Sequence, residues 1–391
     1  MNITMAKPKS LGVKPNIMDA QLLLAVAFLI GFGLIMVASA SMHLGAAKGD
    51  LMRYIDRHLM ALAMGVCAAL IAYQLPTRWL EKSSTILYFI GLGLLLLVFA
   101  PGLGREANGA QRWIGVGPLS LQTSEFMKVF VVLYMAGYLV RRKDEVAHNV
   151  WAFVRPNILL VAACVLLLLQ PDFGTSAVLL GIAFGMLFLA GAPLWQFAAL
   201  LGMAGVAMTS LILTASYRME RITSFLNPWE HVQDSGYQLA QALIAFGRGE
   251  WTGVGLGNGI QKQFYLPEAH TDFVMAVIGE EFGLVGTLAV IALFSVFIWR
   301  TYEIGYQAEE RGERFAAYVA YGIGLWIGMQ AFINIGVNMG VLPTKGLTLP
   351  FLSYGSNSLI VSLLAVGIVM RIHRENVLAT GSEKEGQWQR A

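Results

Sequence analysis

The stretch YLPEAHTDFVMAVIGEEFGLVGTLAVIALFSVFIW, residues 265–299, sets a dense polar cluster directly against an apolar run of membrane-spanning length. A carboxylate at such a junction, here Asp272, is costly to bury without partners, so its position asks for a reason. If Thr271 or Asp272 caps the helix that begins here, the amide dipoles stabilise the ionised carboxylate, and capping alone accounts for it. Chemistry is the other reading. About two turns deeper, at least one of Glu280 and Glu281 must face a polar interior or a partner, because two lipid-facing carboxylates would be expensive.

The rest of the chain agrees with a membrane setting. Its 391 residues are 57% hydrophobic and 13% charged, with a mean hydropathy of +0.62, far more apolar than a soluble domain. Apolar runs that could span lie at residues 19–41, 55–74, 83–100, 124–140, 156–170, 173–190, 196–214, 271–299, 315–338 and 350–370. The runs are continuous, without the in/out alternation of a transmembrane strand, so helices are expected rather than a barrel. The expected fold is an all-α polytopic membrane protein of about ten transmembrane helices, with one long extracytoplasmic loop at 215–270. Residues 1–18 and 375–391 are polar enough to be disordered cytoplasmic tails flanking a membrane domain at 19–374. The first run is too long for the h-region of a cleavable signal and should stay as an anchor. With the N-terminus inside, sixteen Lys/Arg fall on the cytoplasmic side against six in short loops outside, so both termini are expected to be cytoplasmic.

Cys67 and Cys164 both sit in apolar runs, where a small buried hydrophobe is the usual role and a disulfide is not expected. No metal-ligand cluster is visible. The net charge of +3 gives no reason to invoke nucleic acid.

Outside the opening stretch, four places carry polar signals. The 101–123 loop holds Asn108-Gly109 and other turn-marking glycines, and its Arg105 and Arg112 could hold phosphate oxygens or pair locally with Glu106. Glu125 and Lys128, three apart within the fourth run, share a helix face and should neutralise one another. Asp172 in Gln170-Pro171-Asp172-Phe173-Gly174 brings a third charge to the same side, as part of a structural ion cluster or of a polar cavity. In the last outside loop, Lys345 could attract an anionic head group. Within the long loop, Gly236–Ala245 reads as a short amphipathic helix, and the glycines of 247–259 supply tightly turning backbone. Those glycines never complete a G-x-G-x-x-G, so no dinucleotide site is expected.

Five segments, in this order and on these membrane sides, resemble the SEDS family (shape, elongation, division and sporulation): Asn108 to Ile114, Ser124-Glu125-Phe126-Met127-Lys128, Gln170 to Ser176, Leu266 to Phe273 with Gly279 to Gly283, and Pro343 to Tyr354 with Gly355. The resemblance covers nearly the whole chain. Pro343-Thr344-Lys345-Gly346 and the N-terminal tail look more like the division branch than the elongation branch. Thr123 stands where Pro commonly precedes Ser-Glu, and Ser356-Asn357-Ser358 replaces the family's Gly-Ser-Ser.

The resemblance implies a peptidoglycan glycosyltransferase that polymerises lipid II, an undecaprenyl-linked precursor, on the outer face of the bacterial cytoplasmic (inner) membrane at the division septum. It implies Asp272 as general base on the acceptor 4-hydroxyl; beside it, Arg105, Arg112, Arg218, Lys262 or Lys345 is expected to hold the leaving pyrophosphate, with Glu268 and His270 also at the substrate. A divalent cation, Mg or Mn, would fit beside that pyrophosphate. Glu125, Lys128 and Asp172 match the family's intramembrane polar cluster. Implied partners are a class B penicillin-binding transpeptidase and divisome regulators of the FtsQ–FtsL–FtsB type. A lipid II flippase, from the transporter class, is the rival reading, and a non-catalytic division scaffold a third.

Overall fold

The computed structural model describes residues 17–107, 110–116, 119–146, 148–200, 202, 225–233, 236–343 and 346–390. The protein is a polytopic membrane protein whose described membrane-spanning elements are all helices. Its elements are α1 (Ala20–Ala47), α2 (Arg53–Gln74), α3 (Thr77–Leu97), β1 (Gly104–Ala107), β2 (Ala110–Val116), β3 (Leu119–Gln122), α4 (Thr123–Arg141), α5 (Lys143–Val146), α6 (Val150–Leu169), α7 (Phe173–Leu189), α8 (Tyr237–Gly249), α9 (Val274–Glu310), α10 (Arg314–Asn338) and α11 (Ser356–Arg390). Among the described residues eight helices are long and apolar enough to cross a bilayer, and α7 is a shorter apolar helix. Most of the run expected at 196–214 lies outside the described residues.

Burial sorts the helices. In its most apolar window α4 is 83% buried, whereas α2 is only 22% buried. The core therefore lies around α4, which packs on α3, α7 and α10, while α10 also packs on α7 and α9, and α2 lies along α11. Large apolar side chains on the outer helices, such as Leu24, Phe28 and Ile71, remain exposed because the solvent they face is lipid.

The sequence reading of residues 101–123 as a turn-rich loop needs correcting. This segment forms a three-stranded antiparallel sheet in the order β1-β2-β3, with Ala107 opposite Ala110 and Val116 opposite Leu119. In the sequence, Asn108-Gly109 falls between β1 and β2 and is the strongest short hairpin signal a sequence carries; the pair itself lies outside the described residues.

The expected tail at 375–391 is also different, since α11 continues through it to Arg390. Its first turns there are tied down by contacts distant in sequence. Glu375 accepts from the backbone and hydroxyl of Thr77, Asn376 Nδ2 donates to Ile304 O at 2.9 Å, and Arg311 donates to Asn376 O and the Thr380 hydroxyl.

Helix α9 is broken at Gly283, whose backbone is left-handed and extended at φ 63°, ψ −155°. The break frees backbone groups that a membrane helix must satisfy elsewhere. The glycine loop supplies them: Val254 and Gly255 donate to the carbonyls of Glu280 and Glu281, and Leu284 and Val285 donate to those of Glu250 and Trp251. Gly253, Gly255 and Gly257 all adopt positive φ in this stitch, which is the tight turning their spacing suggested. The amphipathic helix expected before the loop is α8, and its buried Leu239, Ala240, Ala242 and Ala245 lie on a face packed against α9 and α10.

Candidate functional site

The candidate site forms where the end of the long loop, the start of α9, the 346–349 segment and strand β2 converge. Its frame is a turn at Glu268. That residue sits at φ 56°, a strained conformation for a side chain with a Cβ, and its carbonyl accepts from the amides of Thr271, Asp272 and Phe273 at 3.1, 3.1 and 3.2 Å. Thr271 Oγ1 also donates to the Glu268 carboxylate at 2.7 Å.

Neither Thr271 nor Asp272 caps α9, which corrects the capping expectation. The helix begins at Val274 with Phe273 in the cap position and no side-chain cap bond. A residue of α10 supplies a side-chain acceptor instead: Asn338 Oδ1 accepts from Ala276 N at 3.0 Å, sharing that amide with Phe273 O, also at 3.0 Å. The same side chain donates from Nδ2 to Asp272 O at 2.9 Å, and Asn334 Nδ2 donates to Asp272 O at 2.9 Å and to Leu347 O at 2.6 Å. One turn further along, Gln330 Nε2 donates to Thr348 O at 2.9 Å.

The main chain of Asp272 is thus fixed, whereas no donor among the described residues reaches its carboxylate. The carboxylate lies against Gly346, where an added Cβ would stand 2.9 Å from Oδ2. Burial pushes its pKa up to about 7; Glu268 and Asp172 add to the rise, and Arg112 opposes it. The Gly346→Ala variant is expected to displace the carboxylate, and with it any reaction that needs it, by roughly tenfold or more in rate at unchanged fold. Steady-state kinetics with a thermal melt on the same preparation checks this.

Arg112 reaches the site from β2. Its Nε donates to Gln170 O at 3.0 Å and its Nη2 to Pro171 O at 2.7 Å, so it binds carbonyls at the C-terminal end of α6, where a cation is favoured. Its Nη1 makes no bond to a described residue and leaves a donor fork for an anion. Asp172 caps α7, accepting from Thr175 N at 3.1 Å and Thr175 Oγ1 at 2.9 Å. It does not join the intramembrane pair expected with it. Lys128 donates to Glu125 Oε1 at 2.8 Å and to Gln330 Oε1 at 2.9 Å, and Gln330 Oε1 also accepts from Trp326 Nε1 at 2.9 Å. Lys128 is fully buried.

Other expected residues are placed differently. Lys262 is not available to an anion: it is buried, 2.5 Å from Glu281 Oε1, and it also donates to Ser39 Oγ. The charge of Glu281 sits inside the bundle and requires that partner. Its neighbour Glu280 accepts from Arg248 Nη1 at 2.6 Å and from the amides of Ile260 and Gln261, so both glutamates serve to seat the long loop on α9. The His270 ring lies edge-to-face with Tyr54 and tilted against Tyr354, with centroids 5.2 and 5.5 Å away, and its carbonyl accepts from Tyr354 N. Burial holds the His270 pKa below its usual value. Arg105 is exposed on β1 opposite Trp113, with its side chain against Gly115. Arg218 and Lys345 fall outside the described residues. Among the described residues no three of His, Cys, Asp or Glu converge as a metal shell. A divalent ion at this site would therefore depend chiefly on oxygens brought by a ligand.

Sequence reasoning passed over the three amides of α10. Their signal was present, since Gln330, Asn334 and Asn338 recur every four residues on one face of an apolar helix, where an amide needs a partner.

Comparison with known proteins accords with this architecture. The family model described as "Cell cycle protein", for FtsW, RodA and SpoVE, matches residues 20–378. The probable peptidoglycan glycosyltransferase FtsW of Allochromatium vinosum is 53% identical over 374 residues, covering 95% of this chain and 93% of that protein. The protein of the same description from Methylomonas methanica is 52% identical over 358 residues, covering 91% and 92%. Among solved structures, a chain from a peptidoglycan synthase complex of coordinated polymerization and crosslinking superposes with a TM-score of 0.77 at 29% identity, over 92% of this chain and 98% of that one. The rod shape determining protein RodA of Thermus thermophilus superposes with a TM-score of 0.68 at 27% identity, over 92% and 97%. The chain belongs to the FtsW, RodA and SpoVE family of cell cycle proteins, the SEDS family that its motifs resemble.

Proposed function

We propose that the chain is a peptidoglycan glycosyltransferase that polymerises lipid II at the division septum, with both termini cytoplasmic and the Asp272 end of the bundle facing outward. The single observation that carries the chemistry is a carboxylate whose main chain is fixed and whose oxygens meet no donor among the described residues, with burial pushing its pKa up to about 7. A general base works best when its pKa lies near the working pH. In the proposed step Asp272 takes the proton of the acceptor sugar 4-hydroxyl as that oxygen bonds to the anomeric carbon of the donor. The bond from that carbon to undecaprenyl pyrophosphate breaks, and the pyrophosphate leaves with the electron pair. Arg112, whose Nη1 bonds to no described residue, would hold the departing charge, and Arg105, Arg218 and Lys345 are proposed around it on sequence grounds. A Mg or Mn ion carried in with the pyrophosphate would neutralise part of that charge. A class B penicillin-binding transpeptidase is the proposed working partner, together with regulators of the FtsQ–FtsL–FtsB type.

Glu268 and Arg112 set the pH response in opposite senses. Replacing Glu268 by Gln removes a negative neighbour, so the carboxyl of Asp272 ionises at lower pH and the acid limb of the rate moves down. Arg112→Gln moves it up. Initial rates across pH in the two variants check the signs, and limbs moving the same way would contradict the assignment.

A broken helix such as α9 also occurs in transporters, which keeps the flippase as the rival. The discriminating experiment gives labelled lipid II to the full chain with its transpeptidase in vesicles. Glycan polymer is the expected product, and exchange of lipid II between leaflets without polymer would favour the flippase.

A further inference from the structure

We propose that Asn338 is a positioning residue that holds α9 open one turn short, so that Asp272 stays outside the helix. The inference rests on the reading of Asp272 as the base.

Were α9 to begin one turn earlier, Ala276 N would donate to Asp272 O, four residues back. The Asn338 carboxamide stands between those two groups. Its Oδ1 takes the Ala276 amide at 3.0 Å, an amide shared with the Phe273 carbonyl three residues back, and its Nδ2 gives to the Asp272 carbonyl at 2.9 Å. One side chain therefore satisfies both ends of a helical bond that is not made, and the buried groups lose nothing by leaving the helix. Asn334 fills the second lone pair of the same carbonyl at 2.9 Å, so no acceptor capacity remains to draw Ala276 back. Asn338 is itself anchored, its Nδ2 also donating to Asn334 O at 2.9 Å, and it is fully buried on α10.

Position is what this arrangement delivers. Inside a first helical turn the Asp272 carboxylate would face the helix amides and gain from the dipole; outside it, the carboxylate rests against Gly346 without a donor among the described residues. Asn334 extends the hold to the facing strap, because its Nδ2 also binds Leu347 O at 2.6 Å, directly after Gly346. Asn338 touches neither substrate nor the transferred proton.

The test uses the full chain with its transpeptidase and labelled lipid II, comparing wild type with Asn338→Leu, Asn338→Asp and Asp272→Asn. Asn338→Leu removes both halves of the bridge. Asn338→Asp keeps shape and acceptor but loses the donor to Asp272 O, and it serves if the leucine variant does not fold. The expected result for either is kcat lower by roughly 100-fold, the effect of a misplaced catalytic group, with KM little changed. In Asn338→Leu the acid limb of kcat should also move to lower pH, as the carboxylate comes under the helix amides; Asn338→Asp brings a second carboxyl close to Asp272 and is read on kcat and melting temperature alone. A role in packing alone would lower the melting temperature and leave kcat per folded molecule and the acid limb where they were, and that result overturns the inference. If Asp272→Asn polymerises at the wild-type rate, the base reading fails first, whatever Asn338 does.

Discussion

Asp272→Asn is expected to abolish polymerisation and at the same time to make the protein more stable. The loss follows from the base, because an amide cannot take the acceptor proton, and removal of a general base costs about 10²–10⁴-fold. The gain in stability follows from the same burial that tunes the carboxyl. Its folded-state pKa, about 7, lies above the ordinary 3.8, so the folded protein binds this proton more tightly than the unfolded chain does. That contribution is fully present below about pH 4, declines as pH rises toward 7, and leaves a standing deficit above it. Asparagine never ionises, so the deficit disappears. Thermal unfolding in detergent at pH 8 should show the variant melting at least about 2 °C higher, the shift that 1 kcal/mol makes in a large domain. An inactive variant that melts lower at every pH would mean that the aspartate holds the fold together rather than performing chemistry.

Lys128→Met is expected to be the most destabilising single change in the bundle interior. Lys128 is fully buried and supplies the only donor among the described residues to Glu125 Oε1, while Glu125 Oε2 has none there. Removing the ammonium leaves a carboxylate inside the bundle without its counter-charge, which typically costs about 3–5 kcal/mol. The damage extends toward the site, because Gln330, which Lys128 holds through Oε1, carries the Thr348 carbonyl on its Nε2. Replacing both partners, as Glu125→Gln with Lys128→Met, should restore most of the lost stability, since a neutral pair has no unpaired charge to bury. Melting temperatures of the two single variants and the double variant close the cycle. A double variant as unstable as the sum of the singles would show that the two residues act separately.

Much of this architecture was legible in the sequence because it depends on local pattern. Continuous apolar runs gave the spans, and the i, i+3 spacing of Glu125 and Lys128 gave their pairing. The start of the run at 271–299 located Asp272 at a loop-to-helix boundary. What escaped was set by contacts between residues far apart in the chain. Glu281 finds Ser39, 242 residues away, and Lys262, whose charge then serves the fold and not an anion. The cap of α9 comes from Asn338, 62 residues beyond Ala276, so inspecting Thr271 and Asp272 alone suggested the wrong cap. The strands at 104–122 are a different case, for their Asn-Gly signal was local but sat in a chain whose hydropathy speaks only of helices.

The measurement that bears most directly on the central claim is the pH dependence of kcat for lipid II polymerisation by the wild-type chain with its transpeptidase. If Asp272 in its ionised form takes the acceptor proton, the rate rises with pH through an acid limb near pH 7 and levels above it. A rate that does not vary across that range, or an acid limb at the ordinary aspartate value of 3.8, would contradict it.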